Sequence, residues 1–258
     1  MTNPIPAGWP HFAPPLPPQP FGLYSVTTPI DVPPPADGSS PRLISGVDWI
    51  PANCGPSGVW TYDLCPTPDP APEDEKTGER PDDGAFPPVI VWAVDECSLY
   101  ATDTSENEAR AQQILRLHEP LWVERHLAAL LAARATALPA AASLAAAVGA
   151  LEEALGDTGF AGVLHARRGL AAQLADLNLV AVDGGQARTP LTNLWSFGGG
   201  YTDLGDTLYA TGPITIWCDP VTTRTAVEHT VNAREALAER RIVVGWECPT
   251  TVYSVTVS

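Results

Sequence analysis

The chain has 258 residues and a mass of 27.3 kDa, with 45% hydrophobic and 17% charged side chains, so it carries enough apolar material for a packed core and is excluded from the disordered class. Thirty acidic residues against 14 basic ones give a net charge of −16, and Lys76 is the only lysine. A duplex-binding protein needs a basic face, so this balance excludes one: no measurable binding near physiological salt is expected, and a micromolar dissociation constant with a steep salt slope would contradict that.

The first 41 residues hold 13 of the 28 prolines. Proline fixes φ and lacks an amide donor, so residues 1–41 read as an extended arm and not as helix or central strand. Its opening, MTNPIPAGWPHFAPPLPPQP, has neither the basic start nor the apolar stretch of an export signal, which predicts production in the cytoplasm. No apolar run anywhere approaches the roughly 20 residues that span a bilayer, so no membrane partner is expected. The arm also carries Trp9, Phe12, Phe21, Leu23 and Tyr24, more apolar surface than a linker needs. A proline-rich segment cannot bury these side chains alone, so they are expected to contact a neighbouring subunit.

Residues 42–98 read as a β excursion. RLISGVDWI (42–50), VWTYDL (59–64) and PPVIVWAV (87–94) are β-branched and aromatic and are bounded by turn formers. Between the last two lies an acidic, proline-rich tip with seven prolines in residues 66–88. Segment 1–98 carries 13 acidic and three basic residues, so most of the excess charge sits on the extended part.

The body, 99–258, opens with the clearest element. Ser105 and Glu108 have the spacing of a capping box, and a helix is predicted over 104–134 with Ile114, Leu117, Leu121, Leu127, Leu130 and Leu131 as its stripe. Pro120 either bends this helix or opens a second one. Another helix is predicted over 140–155, with Leu144, Val148, Leu151 and Leu155 on one face and Gly156 at its C-terminus. Beyond it the pattern alternates: a strand at 160–164, a short helix in RRGLAAQLADL, a strand in NLVAVDGG, LWSF, a strand YATGPITIW at 209–217, and a helix NAREALAER at 232–240. Closing strands follow over 241–258. The fold class is α+β with a mixed or antiparallel sheet.

Candidate chemistry is sparse. The five cysteines are too few for a disulfide scaffold, and their spacing forms no metal motif. They read as small buried hydrophobes, or as a Cys54–Cys65 bridge across a hairpin. In HEPLWVERH the second histidine of a zinc helix is replaced by Trp122, and His118 and His126 stand more than two turns apart. Glu119 and Glu124 read as polar positions of an amphipathic helix. Gly198, Gly199 and Gly200 lack the following helix and the lysine of a phosphate loop, so they read as a tight turn or a close backbone approach. No nucleophile has a base partner. No catalytic, cofactor or metal residues are therefore expected; an arm and an excursion that cannot bury their own apolar residues point to an assembling protein.

The order of elements resembles tailed-phage major capsid proteins of the Hong Kong 97-type fold, shared with encapsulins. ALEEALGDTGFAGVLHARRGLAAQLADLNLV resembles that family's run of helix, strand, helix and strand, and ATGPITIW followed by VEHTVNAREALAERRIVVGWECP resembles its closing segment. The resemblance implies an N-arm at 1–41, an E-loop at 42–98, a P-domain spine helix at about 104–134 with a second helix at about 140–155, and an A-domain-like region at about 180–230. It also implies a subunit that self-assembles as pentamers and hexamers into a phage head, with scaffold, portal or decoration proteins as further partners and no cofactor. Lys76 falls in the E-loop, where some family members carry a cross-linking lysine; an ordinary surface lysine is the other reading. Residues 1–41 do not read as the acidic helical N-terminal domain of some members, so either a separate scaffold or a role other than main shell subunit is expected. The alternatives are a tail, decoration or connector protein, or an encapsulin-like shell.

Overall fold

The computed structural model describes residues 13–33, 44–59, 78–81, 84–99 and 104–258. Trp9, His11, Phe12, Cys65 and Lys76 lie outside the described residues. The first elements are β1 (Ile30–Asp31), β2 (Val47–Trp49), β3 (Gly84–Phe86), β4 (Pro88–Ser98), α1 (Thr104–Arg134), β5 (Thr136–Ala137), α2 (Leu144–Gly156), β6 (Val163–Arg167) and α3 (Ala171–Asp176). There follow β7 (Ala181–Asp183), β8 (Gln186–Arg188), β9 (Leu194–Gly198), β10 (Thr207–Thr211), β11 (Ile214–Cys218), β12 (Thr222–Glu228), β13 (Ala233–Trp246) and β14 (Val252–Thr256).

Helices and mixed sheets together make the α+β class that the sequence predicts. β13 is the centre of a five-stranded sheet: β4 pairs along one edge from Ala233 to Val243, while β12 and then β11 pair along the other. β1 joins β11 in parallel, so part of the proline-rich arm is an edge strand of its own body. A seven-stranded sheet has the order β5-β14-β10-β6-β9-β8-β7, and β2 and β3 form a separate ribbon. The 180–230 span is therefore divided, with β7 to β10 in the second sheet and β11 and β12 in the first.

Each sheet has its own helix, and the larger of the two cores also takes Val163, Tyr209 and Val252 from the seven-stranded sheet. α1 joins the five-stranded sheet through Ala111, Leu115, Val123, Leu127 and Leu131, whose cluster includes Val91, Ala93, Ala236, Ala238 and Ile242. α2 buries Leu144, Val148, Leu151 and Leu155, the face its spacing predicts, in a cluster with Leu164, Trp195, Leu208 and Val255. Each such side chain contributes roughly 1.5–3 kcal/mol by leaving water.

Several boundaries differ from expectation. Thr104 is already helical, so Ser105 lies inside α1 and is not its cap. The buried stripe of α1 runs through 111, 115, 119, 123 and 127, leaving Ile114, Leu117 and Leu121 at its flank, because the true stripe contains an alanine and a glutamate that an apolar count skips. α2 starts four residues later than predicted, capped by the Ser143 hydroxyl that accepts the Ala146 N–H, and Gly156 is its last residue; the left-handed glycine is Gly159. YATGPITIW is split at Gly212–Pro213 into β10 and β11.

The largest correction is NAREALAER, which is strand and not helix. Ala236, Ala238 and Ile242 alternate with Glu235, Leu237, Glu239 and Arg241, a period of two. Good helix formers adopt the strand because β4 and β12 satisfy the backbone on both edges, and tertiary pairing overrides propensity. The preceding turn is closed by Asn232 at φ 51°, a conformation asparagine tolerates.

α1 runs unbroken through Pro120, which settles the two readings in favour of a proline inside one helix. Proline deletes the amide bond to the Arg116 carbonyl. Pro120→Ala is expected to leave the isolated chain as stable or more stable, by up to ~3 kcal/mol in urea unfolding. A clear loss of stability would contradict the interior placement.

Candidate functional site

Residues 16–31 are fastened to their own body at nearly every turn. The Leu16 carbonyl accepts from Gln113, the Pro20 carbonyl from Arg168 at 2.9 Å, the Phe21 carbonyl from the Phe197 N–H at 2.7 Å, and the Ser25 carbonyl from Gln186 at 3.1 Å. The Leu23 side chain has no exposed surface, and Phe21 packs against the α2 core. Leu23 is therefore spent entirely on its own subunit, while Phe21 and Tyr24, half-buried, pack partly against it. Upstream of β1 the arm has no strand partner, so its carbonyls are satisfied elsewhere, and here mostly by side chains of the body.

Two glutamates of α1 do the central part of this work. Both are buried, which corrects their reading as exposed helix positions. Glu119 forms a bidentate pair with Arg240 of β13 and accepts the Tyr24 hydroxyl at 2.8 Å. Burial and the charge of Glu119 push the Tyr24 hydroxyl well above the ordinary tyrosine value. Glu124 accepts the Leu23 N–H at 2.9 Å on one oxygen and the Gly200 N–H at 2.9 Å on the other. A Cβ on Gly200 would lie 2.3 Å from the Leu121 carbonyl, and one on Gly198 would lie 2.8 Å from the Glu124 carboxyl carbon. Gly198 and Gly200 thus permit the close backbone approach that the sequence indicates, with α1 as its partner, while Gly199 has ordinary room for a side chain.

Burial raises the Glu124 carboxyl above its ordinary value of 4.5; the Gly200 and Leu23 amides and the nearby Arg168 oppose that rise. Tyr201 also faces this carboxylate, and its own hydroxyl is raised by burial and by the Glu124 charge. A raised folded-state pKa contributes stability below about pH 4.5 that is lost as pH climbs through the folded value. The stability of the wild type relative to Glu124→Gln should therefore fall between pH 4.5 and pH 7 in paired urea titrations. A difference that grows with pH would mean that the amide bonds outweigh burial.

The excursion's first leg is held in the same manner. Asp219 accepts the Ile44 N–H at 3.0 Å, and Glu247 accepts the N–H groups of Ala52 and Asn53 at 3.1 and 3.0 Å. Cys54 is disulfide-bonded to Cys248, 194 residues away, which corrects the Cys54–Cys65 pairing: the carboxylate contacts bring residue 54 to the end of β13. Cys54, Glu247 and Cys248 are the one group of potential metal donors within reach of one another among the described residues, and there the two sulfurs are bonded to each other.

A serine, a tyrosine and a histidine also meet in the seven-stranded sheet and the turn after it. The Tyr201 hydroxyl lies 3.1 Å from His165 Nδ1 and accepts from Ser196, while His165 Nε2 lies 3.0 Å from Thr211 Oγ1. All four residues have no exposed surface, and burial lowers His165 to about 3, so it stays neutral. This network packs the core and offers no opening to a substrate.

The apolar surface lies elsewhere. Among the described residues β4 has a partner on one edge only. Beside it runs a groove of about 620 Å³ lined by Val89 to Val94 and by Ile114, His118 and Trp122 of α1. Ile90 is 51% exposed, Trp92 61% and Trp122 45%, with Arg125 stacked on the Trp122 ring. An exposed, aromatic edge strand is a template for pairing with another chain.

No protein-family model matches the sequence, and no curated protein does. Solved structures do match. A protein of Mycobacterium phage Adephagia superposes with a TM-score of 0.56 at 14% identity, over 98% of this chain and 95% of that one. A chain of the bacteriophage PhiM1 mature capsid matches with a TM-score of 0.52 at 13% identity, over 100% and 91%. The virus-like particle from Pyrococcus furiosus matches with a TM-score of 0.50 at 9% identity, over 91% and 92%.

Proposed function

We propose that this chain, whose fold is the Hong Kong 97-type, is the major shell subunit of a tailed-phage head and self-assembles into a closed container. The observation that carries this reading is the near end-to-end likeness to a chain of the PhiM1 mature capsid, which leaves no large part of this chain over for another activity. In this reading residues 1–41 are the N-arm, 42–98 the E-loop, α1 the spine helix of a P-domain built on the five-stranded sheet, and the seven-stranded sheet the body of an A-domain. The subunit acts structurally, not as an enzyme, and its place is the virion head after assembly in the host cytoplasm. Scaffold and portal proteins are its further partners.

The described geometry supports this division of labour. Carboxylates fix the described roots of the arm and the excursion to their own body, as expected of a subunit that offers both to its neighbours. The arm contacts to neighbours are accordingly assigned to Trp9 and Phe12, upstream of the fastened stretch. The acidic net charge suits a wall that encloses DNA without gripping it. The Pyrococcus furiosus particle favours one second reading, an encapsulin-like shell.

Negative-stain microscopy of the purified full-length protein tests the proposal. Closed shells of uniform diameter are expected. Rings or tubes would indicate a tail component, and a monodisperse monomer at high concentration would overturn shell formation. Protein cargo copurifying with closed shells would select the encapsulin-like reading.

A further inference from the structure

The two ends joined by the Cys54–Cys248 disulfide are also held by contacts that involve no sulfur. Glu247, next to Cys248 and buried, accepts both amides that precede Cys54. Asp219 anchors the same leg at Ile44, and β2 pairs with β3, so residues 44–53 are docked by contacts that involve no sulfur. Cys248 itself is set at φ 56° in a turn that the Thr251 N–H closes on its carbonyl at 2.7 Å. The two Cα atoms are thereby placed 5.7 Å apart, inside the range a disulfide requires.

From this placement we propose that Cys54 and Cys248 form a redox-operated staple. The chain folds with both as thiols, and oxidation then closes the bond on the folded protein without moving the segment. Cys54 is partly exposed and Cys248 is buried, which sets the order of events. With a small-molecule disulfide such as oxidised glutathione as co-reactant, the Cys54 thiolate attacks one of its sulfurs and expels one glutathione thiolate. The Cys248 thiolate then attacks the Cys54 sulfur of the mixed disulfide and expels the second. Two protein thiols lose two protons and two electrons, and one glutathione disulfide becomes two glutathione thiols. A chain made in a reducing compartment stays open, and one that reaches oxidising surroundings is locked. For a shell subunit, the lock fixes the root of the 42–98 excursion after assembly. That consequence rests on the shell reading; the staple does not.

The test uses the full-length protein, reduced with dithiothreitol, freed of reductant and exposed to oxidised glutathione. Near-UV circular dichroism of the reduced chain should match that of the oxidised one. Peptide mapping should find Cys54 joined to Cys248; chymotryptic cleavage after Trp60 or Tyr62 separates Cys54 from Cys65. Closure should raise the melting midpoint by about 10 °C. Cys54→Ser should melt with the reduced wild type and gain nothing on oxidation. A reduced chain without native near-UV signal overturns the proposal, as does Cys54 mapped to any other cysteine, or stoichiometric zinc retained by the reduced protein that blocks oxidation. Particle formation is scored separately by negative stain. Shells whose bond never closes overturn the staple alone, and closure in a chain that forms no particles overturns the shell reading alone.

Discussion

Arg240→Ala should lower the unfolding free energy by about 3–5 kcal/mol, among the largest effects of any single substitution in this chain. Arg240 and Glu119 keep only 17% and 7% of their side-chain surface exposed, so solvent screens the pair weakly. Removing the guanidinium leaves a carboxylate that keeps only 7% of its side-chain surface exposed and whose neighbours along the stripe, Leu115 and Val123, are core residues. The Tyr24 hydroxyl still donates to Glu119, but one neutral donor does not replace a bidentate cation. The penalty belongs to the stranded charge and not to the pair as such. Replacing the whole cluster by Glu119→Leu, Arg240→Met and Tyr24→Phe should therefore recover most of the loss in the same urea titration. A loss below about 1 kcal/mol for Arg240→Ala would place the pair in the solvent-screened class and refute this account.

The same cluster marks the limit of what the sequence discloses. The existence of α1 and α2, the strand character of 87–94 and the α+β class follow from local periodicity, which needs only neighbours within a turn or two. Glu119 and Glu124 occupy helix positions that spacing alone assigns to solvent. Their partners lie 121 residues away in the case of Arg240 and 101 in the case of Leu23, and nothing within a window announces them. Cys54 likewise pairs at a separation of 194 residues, where spacing favoured the nearer Cys65. NAREALAER is a different failure. Its period of two was present in Ala236 and Ala238, but helix-forming composition masked it. The glycines 198–200 announce a turn or a close backbone approach, because a turn without a lysine or a following helix excludes the phosphate alternative; Gly198 and Gly200 make the approach, and only the partner helix is hidden.

Part of the acidic excess also acquires a structural meaning. Glu124, Asp219 and Glu247 are buried and each accepts backbone amides of an extended segment. Extended chain that lies on a body instead of joining a sheet leaves a row of donors, and a carboxylate satisfies up to two or more of them at once. Proline-rich segments have fewer amides to satisfy, which makes the arrangement cheaper still in conformational terms. Charge that composition alone would place on the surface is therefore partly internal, and it fixes the described roots of the arm and the excursion to the body.

Two truncations separate the fastened and the reaching parts of the arm. Removing residues 1–12 spares every arm contact described above, all of which begin at Leu16 or later, and should lower particle yield with the loss of Trp9 and Phe12. Removing residues 1–24 should destabilise the body itself. Burial of Leu23 alone is worth roughly 1.5–3 kcal/mol. Glu124 loses the Leu23 amide and Glu119 loses the Tyr24 hydroxyl, and each buried group deprived of a partner costs about 1–3 kcal/mol more. Arg168 is also left without the Pro20 carbonyl. The two deletions differ by 12 residues that contribute little regular structure, so a large difference between their midpoints would come from these contacts. Equal midpoints, with the longer deletion still assembling, would mean that the arm is only draped on the body and that the buried glutamates find other donors.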